Sequence, residues 1–270
     1  RHVLTHTVRD SAAVLDIIQG YMTGDWYTAP APSRPYLQEV GVDPGRLRIG
    51  VRTTAPGGLA ELDPACTAAV DDAAALLESL GHEIVENSPA ALDEMTLLEA
   101  FMPIMLASIQ THVHELETLA GRPITPDDIE PMMWNYYEAG KGLDAAGYLA
   151  ALDTAHAWTR RLTSWWLADG FDLLLTPTCA EPPPLIGDLG DQSDGGVRAG
   201  ARALPFAIFT APFNVSGQPA MSVPLFWSDA NLPVGVQLAA APFREDVLIR
   251  VASQLEAARP WADRRPPLYA

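Results

Sequence analysis

The chain has 270 residues, of which 34 are acidic and 17 basic, so its formal net charge is −17 at pH 7. Hydrophobic residues make up 48% of the sequence, which excludes a disordered polyelectrolyte and is enough for a full core. A chain this acidic repels phosphate backbones and anionic lipid surfaces, so we expect no binding to nucleic acid or to a membrane. No apolar run reaches the roughly 18 residues of a membrane-spanning helix.

Two details of residue usage bear on compartment and chemistry. Sixteen of the 17 basic residues are arginine, and the only lysine is Lys141. Cys66 and Cys179 are too few for a disulfide framework, and the first residues lack the apolar run of a signal peptide, so a cytoplasmic location is expected. The sequence does not begin with Met, which favours a processed protein or a piece of something longer.

The first 90 residues predict a helix followed by a strand–helix–strand unit. Residues 7–22 have a helical apolar period with Thr7 as the cap, and residues 24–46 have no period. A strand over residues 46–51 precedes a helix that opens at Asp63-Pro64 and ends at Gly81. A second strand over residues 82–86 completes a right-handed parallel unit.

The rest of the chain predicts an α/β pattern with an inserted helical layer near residues 93–170. Helices are expected near residues 93–119, 125–139 and 144–169, and residues 171–177 are typical of a buried strand. Residues 180–203 are polar and rich in Gly and Pro, and we expect them to be mobile without an assigned helix or strand. Strands over residues 219–226 and 234–240 and a helix from 244 to 258 follow. We find no linker, so residues 1–270 are predicted to form a single unit.

Metal binding has little support in the sequence. His112 and His114 are two residues apart, and on a helix such positions point about 200° away from each other, so they do not share an ion. The interpretation we favour for them is a solvated helix face. No Cys/His cluster, phosphate-binding glycine loop or G-x-S-x-G motif occurs.

Two segments carry polar residues next to predicted strands. Thr178 and Cys179 follow the strand that ends at residue 177, where ligand sites of open α/β sheets lie, although a buried structural cysteine is the more common outcome for a residue such as Cys179. Asn214, Ser216 and Gln218 surround a glycine directly before a predicted buried strand. That loop either places amides in a pocket or is an ordinary turn.

Five segments of the chain resemble the amidase signature family. The most specific are NVSGQPAMSVP at residues 214–224 and LPVGVQ at residues 232–237. FDLLLTPT at residues 171–178, LTHTVRD at 4–10 and the closing helix at 245–256 occur in the family's order. SRPY at 33–36, GRP at 121–123 and RRP at 264–266 are similar to amidases of the 6-aminohexanoate cyclic dimer hydrolase type.

The resemblance implies a mixed, mostly parallel β-sheet with helices on both faces. It also implies hydrolysis of a small carboxamide to acid and amine through an acyl-enzyme, with a catalytic triad of Lys, cis-peptide Ser and nucleophilic Ser. No metal or organic cofactor is implied.

The sequence departs from the family in the segments that carry the catalytic residues. The Gly/Ser-rich segment of the G-G-S-S-G-G kind does not occur, and Lys141 lies in a Gly-Lys-Gly turn far from the family's lysine position. No catalytic residue is therefore assigned, and the chain is expected to be the C-terminal portion of an amidase, inactive alone, whose triad lies upstream. The substrate-pocket candidates are Thr178, Cys179, Asn214, Ser216 and Gln218.

Three interpretations stay open. The first is part of an amidase that works with the N-terminal half of the same polypeptide, and the second is a stand-alone binding or scaffold protein derived from an amidase half. The third is an amidotransferase subunit of the same family. A homodimer is compatible with each of them. If half of the fold lies elsewhere, the sheet of this chain should have an uncovered edge or apolar face.

Overall fold

The structure, a computed structural model, describes residues 2–190 and 192–264. Residues 265 and 266 of the RRP segment lie outside the described residues. Five strands form one sheet in the order β2-β1-β3-β5-β4. They are β1 (Arg48–Val51), β2 (Glu83–Glu86), β3 (Leu173–Pro177), β4 (Ala220–Trp227) and β5 (Pro233–Ala240).

The sheet is mixed, as predicted, but parallel pairings are not the majority among the described strands. β1 pairs in parallel with β2 and with β3, which confirms the predicted strand–helix–strand unit. β5 pairs antiparallel with both β3 and β4. The antiparallel pairing of β4 with β5 follows from the short turn at residues 228–232, since a connection this short can only return the chain antiparallel.

Eight α-helices are described, and they cover both faces of the sheet. None of the described helices is both long enough and apolar enough to cross a membrane. They are α1 (Val8–Ile18), α2 (Pro64–Ser79), α3 (Thr96–Ala120), α4 (Pro131–Gly140), α5 (Ala145–Ala168), α6 (Val197–Ala207), α7 (Ala211–Ser216) and α8 (Glu245–Ala258).

Strand β3 is buried along its whole length, as its apolar run predicts. Because successive side chains of a strand point to opposite faces, β3 contributes to two cores. Leu173 and Leu175 pack with apolar residues of α2 and α8 on one face. Leu174 packs with the tryptophans of α5 and with Phe213 of α7 on the other.

Two of the predicted helix starts are confirmed by their capping bonds. The Thr7 side chain accepts from the Asp10 N–H at 3.0 Å, and the Asp63 side chain accepts from the Ala65 N–H at 2.7 Å. Pro64 occupies the first turn, where its missing N–H costs nothing. Local sequence therefore decides where α1 and α2 begin.

Three segments differ from the prediction. The helix expected from residue 125 begins at Pro131, because the Asp128 carboxylate accepts from the Thr125 N–H and hydroxyl and closes a turn instead. Residues 180–203 contain most of α6, whose Arg202 bridges to Glu181 and Asp188. The polar loop before β4 is the short helix α7, ended by Gly217 at a φ of 69°.

Strand β4 lies at one edge of the sheet and is not the buried strand that its sequence predicts. The Ala240 N–H donates to the Pro219 carbonyl at 3.0 Å, and Ala220 lies opposite Ala239. Bonded and non-bonded pairs alternate in an antiparallel ladder, so Ala220 and Ser222 direct their backbone groups to the free edge. Pro224 has no N–H and is typical of such an edge. Among the described strands, none pairs with this edge of β4.

The segment after α1 is held to α8 by a buried carboxylate. Glu39 is 1% exposed and accepts from Arg34 Nε at 2.5 Å and from Arg250 Nε at 2.6 Å. The hydrogen bond with Arg34, reinforced by Arg250, lowers the pKa of Glu39 to about 2 although burial opposes the shift. Glu39 is therefore a charged clamp that joins two segments far apart in sequence.

We predict that Glu39→Gln destabilises the protein by about 2 kcal/mol at pH 7. This is less than the ~3–5 kcal/mol of a fully buried pair because both arginines still touch water. A lowered pKa stabilises the fold above the unfolded pKa, so the difference between the two proteins should shrink as pH falls from about 4.5 toward 2. Urea unfolding at several pH values measures it.

The matched control is Glu138→Gln, which removes the exposed partner of Lys141. Exposed pairs contribute about 0–1 kcal/mol, so this variant should unfold nearly like the wild type. Equal losses of unfolding free energy in the two variants, or a Glu39→Gln effect that does not depend on pH, would contradict the proposed stabilising role of the Glu39 carboxylate.

Candidate functional site

A cavity of about 500 Å³ wraps around the free edge of β4 and is called the β4-edge cavity here. Its two sides are the two faces of the sheet at that edge. One side is mainly polar and carries Ser222, Gln237 and Thr178. The other is mainly apolar and carries Leu15 of α1 with Leu248 and Ile249 of α8; the remaining lining residues are His2, Ser11, Thr210, Phe213, Asn214, Gln218, Pro219, Ala220, Met221 and Glu245.

The polar side is built by a row of three residues on neighbouring strands. Thr176 of β3 lies opposite Gln237 of β5, which lies opposite Ser222 of β4. Gln237 Nε2 donates to Thr176 Oγ1 at 3.2 Å and to the Phe209 carbonyl at 2.9 Å. These bonds hold a buried amide in one orientation and attach the turn before α7 to the sheet.

Thr178 and Ser222 form a hydroxyl pair across β5. Their oxygens are 2.7 Å apart although the residues are 44 positions apart in sequence. Gly235 lies between them, and a Cβ there would be 2.7 Å from Ser222 Oγ and 3.0 Å from Thr178 Oγ1. The hydroxyl pair therefore depends on a glycine at position 235.

Three of the five predicted pocket residues are brought together at the β4-edge cavity: Thr178, Asn214 and Gln218. Asn214 is exposed on α7, and Thr178 is half-buried at the end of β3. Gln218 is 5% exposed, and its Nε2 donates to the Ala240 carbonyl at 2.8 Å. The Gln218 amide therefore stabilises the backbone at the end of β5 in addition to lining the cavity.

Cys179 and Ser216 do not line this cavity. Ser216 Oγ accepts from the Gln218 N–H at 3.4 Å, which is a local turn contact. Cys179 lines a separate cavity of about 170 Å³ with Cys66 and Thr178, and its thiol donates to the Phe206 carbonyl at 3.6 Å. Burial raises the pKa of both thiols, to about 12 for Cys66, so neither is a thiolate at neutral pH.

Ser222 and Gln237 also line the cavity, although the sequence patterns did not indicate either of them. Both lie in segments recognised as family motifs, yet a serine and a glutamine inside apolar strands did not indicate a shared position. A signal exists in the alternation of side chains. Once β4 and β5 are joined by their short turn, residues 222 and 237 fall opposite each other on one face.

The lysine and the paired histidines lie outside the site. Lys141 follows α4, contacts the Tyr137 ring and pairs with Glu138 at 2.7 Å. The hydrogen bond with Glu138 raises the pKa of Lys141, which keeps it charged and unsuitable as a neutral base. His112 and His114 are exposed on α3. Among residues 2–190 and 192–264, no group of three His, Cys, Asp or Glu side chains is placed to hold a metal.

Comparison with known proteins gives the class to which this fold and site belong. The model of the Amidase family matches residues 2–249, so the chain belongs to the amidase signature family. It is 40% identical over 98% of its length to the 6-aminohexanoate-cyclic-dimer hydrolases of Pseudomonas sp. (strain NK87) and Paenarthrobacter ureafaciens. These alignments cover 55% of the relatives, so the chain spans about half of their length.

Solved structures agree with the sequence comparison. A structure of 6-aminohexanoate cyclic dimer hydrolase matches 97% of this chain and 55% of its own, with a TM-score of 0.90 and 39% identity. The predicted α/β class, with a mixed sheet flanked by helices, is thereby confirmed.

We predict that Gly235→Ala destabilises the protein by about 1–3 kcal/mol, because the new methyl group is forced against two hydroxyl oxygens. Part of the loss should disappear in a Ser222→Ala background, which removes the nearest of these atoms. Urea unfolding of the single and double variants measures both effects.

Gly142→Ala is the matched control, since a Cβ there meets only the Ala139 carbonyl at 4.0 Å. It should unfold at the wild-type urea concentration or slightly above it. If Gly235→Ala behaves in the same way, the hydroxyl pair does not constrain position 235.

Proposed function

We propose that this chain forms the substrate-pocket wall of a serine-type amidase that hydrolyses small carboxamides through an acyl-enzyme. The observation that carries the proposal is the polar side of the β4-edge cavity, at an open sheet edge in a chain of the amidase signature family. The Ser, cis-peptide Ser and Lys of the triad are proposed to lie in polypeptide upstream of residue 1.

The hydroxyls of the cavity support a binding role over a nucleophilic one. Thr178 and Ser222 bond to each other, and no described hydrogen bond joins either hydroxyl to a Lys, His or carboxylate base. A hydroxyl is a weak nucleophile until a neighbouring base takes its proton. The activated serine is therefore proposed to come from outside this chain.

Within the mechanism, the wall holds the amide while the upstream residues act on it. Thr178, Ser222 and Asn214 are proposed to hydrogen bond to the polar end of the substrate. The apolar side, with Leu248 and Ile249, would accept its hydrocarbon portion. Fixed hydrogen bonds and excluded water position the carbonyl for attack, which is how such a wall contributes to rate.

The substrate class is proposed from the cavity and from the relatives together. A volume of about 500 Å³ lies in the range of small-molecule sites, roughly 300–1,000 Å³. Two relatives at 40% identity are 6-aminohexanoate-cyclic-dimer hydrolases. We therefore propose small aliphatic amides, linear or cyclic, as the substrates of this protein.

The free edge of β4 and several exposed apolar side chains support a covering polypeptide. The outward backbone groups of Ala220 and Ser222 lack a neighbouring strand among the described residues. Ile17 of α1 is 80% exposed, and Trp26 and Tyr27, which follow that helix in sequence, are each 90% exposed. Exposed apolar side chains of this size are typical of interaction surfaces when they form a patch. The proposed occupant is the N-terminal half of the same amidase.

The decisive experiment expresses the full reading frame that encodes this chain and screens it against aliphatic, aryl and cyclic amides. We expect hydrolysis by the full-length protein and none by residues 1–270 alone. Lys141→Ala in the full-length protein should keep wild-type kcat and KM, because Lys141 lies outside the site. Light scattering of the same preparation tests for a homodimer.

Activity of residues 1–270 alone would place the nucleophile within this chain and contradict the proposal. A full-length protein that binds amides without hydrolysing them would favour the binding or scaffold alternative.

Substitution of the wall residues tests their proposed role. Thr178→Val and Asn214→Ala in the full-length enzyme should each lower kcat/KM roughly 5- to 100-fold, since each removes a hydrogen bond to a desolvated polar group. Steady-state kinetics on a hydrolysed amide measures the effect. Unchanged kinetics in both variants would remove these residues from the site.

A further inference from the structure

Gln237 is a buried glutamine whose two amide atoms have different surroundings. Its Nε2 donates to Thr176 Oγ1 and to the Phe209 carbonyl, so both amide hydrogens are used. The side chain is 4% exposed, yet it lines the β4-edge cavity. A polar group this buried, with its orientation set by two bonds, is a rigid part of the cavity wall.

The amide oxygen of Gln237 has no described donor within residues 2–190 and 192–264. The Oε1 of the neighbouring Gln218 also lacks a partner, but that atom is enclosed by protein. Gln237 Oε1 is not one of the enclosed atoms, and the residue faces the cavity, so this oxygen opens into it as an acceptor. An acceptor held in this way fits a ligand that carries a hydrogen-bond donor.

The hydroxyl pair supplies the complementary group beside this acceptor. Ser222 lies directly opposite Gln237, so their Cβ atoms are about 5 Å apart. Thr178 and Ser222 share one hydroxyl hydrogen across 2.7 Å, which leaves the second hydroxyl hydrogen to donate. A fixed acceptor next to a spare donor matches a carboxamide, which has an N–H and a carbonyl oxygen.

We propose that Gln237 is a specificity-determining residue whose Oε1 accepts a hydrogen bond from the N–H of the substrate amide. The enzyme then selects amides that carry an N–H over tertiary amides, which have none. The inference rests on the proposed function, because it assigns a substrate class to the same cavity. A site built to pair with a donor strongly rejects an analogue that lacks the donor.

The test compares N-butylacetamide with N-butyl-N-methylacetamide in the full-length enzyme. The wild type should prefer the secondary amide, and Gln237→Leu should lower the ratio of the two kcat/KM values by at least roughly tenfold. Gln237→Met, which keeps the length of the side chain and removes the acceptor, should lower the ratio in the same way and is available if the leucine variant unfolds.

A merely structural role would lower kcat/KM for both amides equally and leave the ratio unchanged. Gln110→Leu is the matched control, since Gln110 Nε2 also donates to a backbone carbonyl, that of Tyr137, away from the cavity. Its ratio should equal that of the wild type. An unchanged ratio in both Gln237 variants overturns the inference while the proposed function stands.

Failure of the proposed function has a different signature, namely a wild-type protein that hydrolyses neither amide. Calorimetric binding of the same two compounds to that protein then decides the inference. Tighter binding of the secondary amide, lost in Gln237→Met, supports the role of Gln237. Equal affinity of the wild type for both compounds overturns it.

Discussion

Strand β3 belongs to the two largest hydrophobic cores of the described residues, and the remaining architecture depends on its burial. Five consecutive buried residues leave no face for water, so helices must cover the sheet on both sides. α2 and α8 cover one face and α5 the other. The strand also joins the parallel and antiparallel halves, because it pairs with β1 and with β5. Where β3 ends, the chain emerges at Thr178, beside the site.

The site arises where an apolar sheet carries polar residues up to an unpaired edge. Thr176 and Gln237 are buried. Thr176 Oγ1 and Gln237 Nε2 bond to each other and to nearby carbonyls, which offsets the desolvation of these two atoms. Ser222, next in the row, meets the cavity. A sheet edge without a neighbouring strand is a liability unless it is covered. The same edge in this protein borders the polar side of the cavity, so a polypeptide that paired with it would also lie beside those polar groups.

Elements with local signals could be predicted from the sequence. The starts of α1 and α2 follow from Thr7 and Asp63, which bond their own helix turns, and β3 follows from its apolar run. Two other features could not. Asp128 closes a local turn with Thr125, so α4 begins only at Pro131, and Arg202 of α6 pairs with residues 181 and 188. Such bonds leave no periodicity to detect.

The sequence by itself determined the family, the α/β class, the absence of a G-G-S-S-G-G segment from residues 1–270, and three of the residues that line the cavity. Only the tertiary structure decided that Ser222 and Gln237 belong with them and that Cys179 and Ser216 do not. The reason is register: a hydroxyl pair between residues 178 and 222 exists because β5 lies between their strands with a glycine at the crossing point. The sequence specifies which residue types are present, and the pairing of the strands determines which of those residues come into contact.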